Sequence, residues 1–296
     1  MSISAFITYI SLEKNYSANT VTAYESDIVE FSIFCKEHLG VQDITDVGYN
    51  SVRSWVVSLV DVKLSNRSIN RKIASLKSYY KFLLKIEAIK VNPLAKHKAL
   101  KTAKKIEIPF SEAEMEQMLS EIIFPDDFVG LRDKLIIELL YVTGIRRIEL
   151  VNLRITDIDF NQKTIKVLGK RNKQRVIPLL GSMLDLFKVY LQERNKIEKL
   201  VDKEFIFLSK TGFKIYDTLV YRVINHYFSM VSSKVKKSPH ILRHTFATHL
   251  INKGADLNSV KELLGHSSLA STQVYTHNSV AELKKVHQLS HPRNKK

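Results

Sequence analysis

Residues 238–249 read Ser-Pro-His-Ile-Leu-Arg-His-Thr-Phe-Ala-Thr-His and bring two imidazoles and a guanidinium close together in the chain. His240 and Arg243 are three apart, so on a helix they share a face. Further along, Leu263-Leu264-Gly265-His266 has the form of a helix end with a C′ glycine, and Tyr275 follows. Earlier, Thr143-Gly144 stops an apolar helical pattern and Arg146 comes directly after it, where rigid backbone on both sides would hold a guanidinium. His240 and His244 also form an i, i+4 pair, which raises the question of a metal. The glutamate of the zincin motif is missing between them, and no carboxylate or cysteine stands nearby as a third ligand, so no metal is expected. Any one of these histidines alone is more often structural than catalytic. Cations held on helix faces and at helix ends suit an anionic partner.

The whole chain agrees with that partner. Its 296 residues carry 46 Lys+Arg against 30 Asp+Glu, a formal charge of +16 and a pI near 9.7, which puts nucleic acid ahead of an acidic membrane surface. The composition, 45% apolar and 26% charged, is that of an ordinary globular protein and excludes a disordered or collagen-like chain. No apolar run approaches a membrane span, and the start lacks a basic signal-peptide region, so a cytoplasmic protein is expected. The single cysteine, Cys35, excludes a disulfide framework and fits a reducing compartment. At this length two domains are expected.

The charge is concentrated. Residues 1–61 hold three basic and eight acidic side chains, whereas residues 62–105 hold thirteen basic and one acidic, Glu87. Within the basic run, residues 65–68 offer N-cap residues, and Ile69, Ile73, Leu76, Tyr80, Leu83 and Leu84 recur at helical spacing. Arg67, Arg71, Lys72 and Lys81 lie off that stripe, free to face a groove or a phosphate backbone. Asn92-Pro93 is expected to end the helix, and Lys101, Lys104 and Lys105 belong to a basic linker without apolar period. Ahead of it, Val21, Tyr24, Ile28, Phe31 and Phe34 mark one helix, and Trp55, Val56 and Leu59 another. The organisation expected is a helical DNA-binding domain over 1–95, a linker over 96–108 and a second domain over 109–296.

The second domain starts with a capping box, Ser111 to Glu114, and an apolar stripe of Leu131, Leu135, Ile136, Leu139 and Leu140. Residues 155–180 change to an alternating period around turns at Asn161-Gln162 and at residues 169–173, which reads as a small antiparallel sheet with a basic hairpin tip. In the next helix Ile241, Leu242, Phe246, Leu250 and Ile251 supply the buried stripe.

Taken together, Thr143-Gly144-Ile145-Arg146, Gly169-Lys170, His240-Ile241-Leu242-Arg243, Leu264-Gly265-His266 and Tyr275 resemble the active site of the tyrosine recombinases (phage integrase family), and most closely its Xer branch. Five separated elements match in order. The N-terminal likeness rests on length, charge and residues such as Ser17, Thr20, Tyr24 and Asp27. The resemblance implies a mainly α fold with a small antiparallel β-sheet. A helical, SAM-like core-binding domain and an α+β catalytic domain would form a C-shaped clamp on DNA. It implies Tyr275 as nucleophile, giving a 3′-phosphotyrosyl link, with Arg146, Arg243 and His266 on the phosphate oxygens. His240 would serve the tyrosyl oxygen as base or acid, Lys170 would be general acid toward the 5′-oxygen, and Glu149 would orient the site. Neither metal nor cofactor is implied. Two positions depart from the family pattern: Arg147-Ile148 replaces a small apolar residue and a serine, and Arg171 replaces a glycine, leaving Lys173 as the alternative to Lys170.

Arg67, Arg71, Lys72, Lys101, Lys104, Lys105, Arg171, Lys173 and Arg175 are the expected DNA contacts, with residues 65–72 and the Arg222 region as candidates for base reading. The expected partners are double-stranded DNA at a dif-like site, a homo- or hetero-tetramer with a second recombinase, and a DNA translocase activator. The expected location is the nucleoid. Val280, Leu283, Val286 and Leu289 would line a C-terminal helix that docks on a neighbouring subunit or folds back in cis. A small phage or transposon integrase of the same chemistry, and a non-catalytic DNA-binding protein on this fold, are the alternatives.

Overall fold

The computed structural model of the chain describes residues 3–103, 107–169, 174–265 and 289–294. Lys104, Lys105, Lys170, Arg171, Lys173, His266, Tyr275, Val280, Leu283 and Val286 lie outside the described residues. Two compact units form, Met1–Lys105 and Ile106–Lys296. No described helix is long and apolar enough to cross a membrane.

The first unit consists of helices α1 (Ile3–Thr8), α2 (Ala18–Leu39), α3 (Tyr49–Asp61) and α4 (Asn66–Lys85), with a π-helical turn at Tyr9–Glu13. Ile28 and Phe31 of α2, Trp55 of α3, and Ile69, Ile73, Leu76 and Tyr80 of α4 meet in one core. Cys35 is fully buried there, and burial pushes its thiol up to about 11. Ser65 caps α4 by accepting a hydrogen bond from the Ser68 N–H, as its residue type suggests.

Two features of α4 differ from the sequence expectation. The helix ends at Lys85, well before Asn92-Pro93. Its buried stripe stops at Leu83, since Leu84 is exposed. Glu87 then takes a left-handed φ of 58°, and the Ala88 N–H closes onto the Leu83 carbonyl. The segment after it is also less free than a linker. Asn70 exchanges two hydrogen bonds with the Leu100 backbone, and Asn66 donates to the Lys101 carbonyl. Side-chain amides reading a backbone leave no periodic mark in the sequence.

The carboxylate of Asp27, 1% exposed, joins α2 to α4. It accepts from both Nη atoms of Arg71, at 2.5 and 2.9 Å, from Lys72 at 3.3 Å and from Ser75 at 2.7 Å. Arg71 and Lys72, expected to reach for DNA, are therefore held at their tips by an acid from the neighbouring helix; Lys72 is largely covered, whereas Arg71 stays exposed, as are Arg67 and Lys101.

In the second unit α5 (Glu112–Ser120) carries the expected capping box. Helix α6 (Phe128–Thr143) packs against α8 (Gly181–Arg194), α9 (Asp217–Val231) and α10 (Pro239–Asn252), and is buried on nearly every side. The one-turn helix α7 (Arg147–Val151) follows it, and α11 (Leu257–Leu264) follows α10. Strands β1 (Ile158–Asp159), β2 (Thr164–Leu168) and β3 (Gln174–Pro178) form an antiparallel sheet in the order β1-β2-β3. Ile165 pairs with Ile177 and Val167 with Arg175, and all four face inward. In α10 the stripe is buried as far as Leu250, whereas Ile251 is exposed. His249 is structural: one ring nitrogen meets the Phe110 carbonyl at 2.9 Å, the other the Tyr141 hydroxyl at 3.0 Å. At the C-terminal end Leu289 is exposed, but His291 is buried against Tyr141 and Phe246 of its own unit.

The Asp27 network sets a clear expectation for stability. Replacing Asp27 by Ala takes the buried acceptor from Ser75 and the acid from Arg71, while Lys72 keeps only Glu30, at 2.6 Å. Because Arg71 can turn to water, the loss should be about 2–4 kcal/mol, toward the low side of a broken buried pair. The single tryptophan, Trp55, sits in the core of this unit and reports on it alone, so urea unfolding followed by its fluorescence checks the value. A loss below about 0.5 kcal/mol would show that the network does not hold α2 to α4.

Candidate active site

Gly144 closes α6 with a φ of 59°, and a Cβ there would lie 2.3 Å from the Phe246 ring of α10. Only glycine allows both the left-handed backbone and that approach. The close crossing puts the Gly144 carbonyl beside Arg243, which is 8% exposed and donates to it at 2.6 Å. The other Nη of Arg243 donates to the Leu264 carbonyl, also at 2.6 Å. One guanidinium thus ties the end of α6 to the end of α11. The orphan carbonyls of two helix ends accept it, where the helix dipole also favours a cation.

Arg146 begins α7. Its backbone N–H donates to Oε2 of Glu149 at 2.8 Å and its Nη1 to Oε1 at 2.8 Å, while Nη2 lies 3.2 Å from the Gly265 carbonyl. Its side chain is 28% exposed, so it is the more open of the two arginines expected at the phosphate. Arg147 and Ile148, the departures beneath it, do not pack under it. Arg147 reaches Asp217 of α9 at 2.9 Å and Ile148 is exposed.

Glu149 has a second guanidinium on it. Arg175, expected as a DNA contact, is only 5% exposed, and its two Nη atoms meet the two Glu149 oxygens at 2.8 Å each. Its Nε donates to the Leu263 carbonyl at 2.8 Å. The strand period explains why it is not at the surface: Arg175 and Ile177 share the inward face of β3. The same alternation was the signal in the sequence, since an arginine two residues from a buried isoleucine on a strand points to the core.

Burial acts strongly on this cluster. It pushes Arg243 down to about 10, and repulsion from Arg146 adds to the effect while Glu149 opposes it. For Glu149, burial alone would raise the carboxyl, but Arg175 and Arg146 outweigh it and hold the group below its ordinary 4.5. A carboxylate with a lowered folded pKa stabilises fully above its unfolded value. That contribution is lost as pH falls through the folded one, so the clamp weakens in acid.

The structure brings together Arg146, Arg243, Glu149 and Arg175 around residues 263–265. The His240 ring is exposed at the start of α10, and its Nε2 lies 3.3 Å from Glu107, which also binds Lys236. Glu107 was not expected at the site, and nothing in its local sequence marks it. Arg222 stays at the surface, hydrogen-bonded to the Tyr216 hydroxyl.

Comparisons with known proteins accord with this arrangement. Residues 110–282 match the phage integrase family, and residues 3–86 match the phage integrase N-terminal SAM-like domain. The tyrosine recombinase XerC of Oceanobacillus iheyensis is 41% identical, covering 98% of this chain and 96% of that protein. That of Bacillus subtilis is 36% identical, over 98% of this chain and 96% of that protein. Among solved structures, the XerH site-specific recombinase bound to a palindromic difH substrate, a post-cleavage complex, has a TM-score of 0.72 at 22% identity, covering 97% of this chain and 84% of that one. The Tn1549 transposon integrase with transposon right end DNA has 0.71 at 23%, over 97% and 99%. At those identities the likeness speaks for the fold alone. Two curated relatives matched nearly end to end, two family domains in order and the expected arginines converging on one turn leave one assignment: the chain belongs to the phage integrase family and is a tyrosine recombinase of the Xer type.

Proposed function

We propose that this recombinase cuts and rejoins double-stranded DNA at a dif-like site through Tyr275, and so resolves chromosome dimers. The observation that carries the reading is the meeting of Arg146 and Arg243 on the carbonyls of Leu264 and Gly265, immediately before His266 in the chain. Residues so far apart in sequence converge on one turn, and their planar forks suit the two non-bridging oxygens of a phosphodiester.

In the proposed step the Tyr275 phenolate attacks phosphorus, the bond to the 5′-oxygen breaks, and Lys170 protonates that leaving oxygen. His240 takes the phenol proton, with Glu107 orienting its ring. A phenol of pKa near ~10 is a poor nucleophile at neutral pH unless cations surround it, and the arginine cluster supplies them. Arg146, Arg243 and His266 would hold the charge that grows on the non-bridging oxygens. The phosphotyrosyl ester keeps the energy of the bond it replaced. Reversal by the 5′-hydroxyl of a partner strand therefore reseals DNA without ATP.

The first unit would bind the duplex through Arg67 and Lys101, with Lys104 and Lys105 beyond them. Arg71 and Lys72, tethered by Asp27, would present a fixed pair of cations. The proposed working form is a tetramer on two duplexes, homomeric or shared with a second recombinase, in the nucleoid and under the control of a DNA translocase. The sequence spacing of Val280, Leu283, Val286 and Leu289, three residues apart, supports a subunit contact.

Mixing the protein with a nicked duplex carrying the host's terminus-region recombination site, and running it on a denaturing gel, tests the nucleophile. A covalent adduct is expected with wild type and none with Tyr275→Phe, while both bind DNA. An adduct that survives the substitution would remove Tyr275 from the role. In the same assay Arg243→Lys should slow adduct formation by about 100- to 1,000-fold with binding largely kept, because one ammonium cannot span two carbonyls and a phosphate. A rate within about threefold of wild type would show that the fork is not needed.

A further inference from the structure

We propose that Arg175 is a positioning residue for strand cleavage: it takes up the Glu149 carboxylate so that Arg146 keeps its charge for the phosphate, and it seats the turn ahead of His266. The proposal rests on the phosphodiester chemistry proposed above.

Glu149 is a single buried acid between two guanidiniums. Arg175 holds it in a symmetrical, bidentate pair, both contacts at 2.8 Å. Arg146 touches the same carboxylate through one Nη and its backbone N–H, and leans through its other Nη on the Gly265 carbonyl. The division is unequal in a useful way. A carboxylate facing Arg146 alone would close on it as a bidentate pair and neutralise the cation that the substrate needs. With Arg175 in place the cluster of three arginines and one acid keeps a surplus of positive charge beside the open face of Arg146.

The same side chain fixes the turn. Its Nε reaches the Leu263 carbonyl at 2.8 Å, and a Cβ on Gly265 would lie 3.1 Å from the Arg175 Cδ and 3.2 Å from an Nη. Gly265, at a φ of +63°, therefore rests directly on the guanidinium. Among the described residues, Arg175 joins Arg146 in bonding both Glu149 and the helix end that leads into His266, and it does so from a buried position. A lysine has the charge but lacks the fork: it cannot bond both Glu149 oxygens and the Leu263 carbonyl together.

The test uses the full chain with Arg175→Lys, and two nicked duplexes that differ only at the scissile position. One carries the natural phosphodiester and the other a methylphosphonate, which lacks the non-bridging charge that Arg146 neutralises. Single-turnover adduct formation on the phosphodiester should fall by about 100-fold, and the defect should shrink to below about fivefold on the methylphosphonate, following Arg146→Ala measured beside it. An equal loss on both substrates would mean a general structural role and would overturn the proposal, as would a rate within about threefold of wild type on the phosphodiester. If Arg175→Lys fails to fold, Arg175→Gln removes the fork while Glu149 keeps its pair with Arg146, so no buried charge is left without a partner. Cleavage by that chain at the wild-type rate would overturn the proposal, and a phosphodiester-selective loss would support it. Absence of any adduct from wild type, with DNA bound, would instead overturn the phosphotyrosyl reading and the role of Arg175 with it.

Discussion

The second unit depends on one buried carboxylate. Glu149 is almost wholly out of water and is held there by two arginines and a backbone N–H. Ion pairs of this kind are a poor way to gain stability, since desolvation consumes most of the Coulomb attraction, yet losing one partner costs about 3–5 kcal/mol. Their value here is geometric. Through Glu149 and its two arginines the start of α7, strand β3 and the end of α11 are fixed relative to one another, and Arg243 adds the end of α6. Stretches of chain as far apart in sequence as Arg146, Arg175 and Leu263 become one surface.

The packing around that cluster explains why it forms. Helix α6 is buried on nearly all sides, so its end can be placed accurately, and Gly144 lets α10 come close enough for Arg243 to reach it. The result is a group of cations held by backbone carbonyls rather than by acids, apart from Glu149. Burial brings Arg243 down to about 10, which records the cost of that charge in the free protein. An incoming phosphate relieves the repulsion. The site is thus built for an anion before the anion arrives, which is the form of preorganisation that catalysis rewards.

Much of this was legible in the sequence where a rule of local geometry applied. Ser65 and Ser111 announced helix starts, Gly144 and Gly265 announced helix ends, and the alternation through residues 158–177 gave the sheet. The arginines Arg146 and Arg243 were recognisable by their place beside those ends. What escaped was set by long-range contact. Arg175 sits beside the basic hairpin in sequence, but the register of β3 turns it inward onto Glu149. Arg71 and Lys72 lie off the apolar stripe of α4, and their acid, Asp27, lies on another helix. The early end of α4 and the docking of residues 96–103 come from left-handed Glu87 and from asparagine side chains reading backbone, neither of which follows a hydrophobic period.

The central claim is that Glu149 and Arg175 act on Arg146 as a single device. A double-mutant cycle on the rate of adduct formation measures this directly, with Glu149→Gln, Arg175→Lys and the two combined. If the device is single, the second substitution adds little to the first, and the double variant should cleave within about threefold of the slower single one. Losses that multiply would mean that the two residues serve the reaction separately, and would contradict the account.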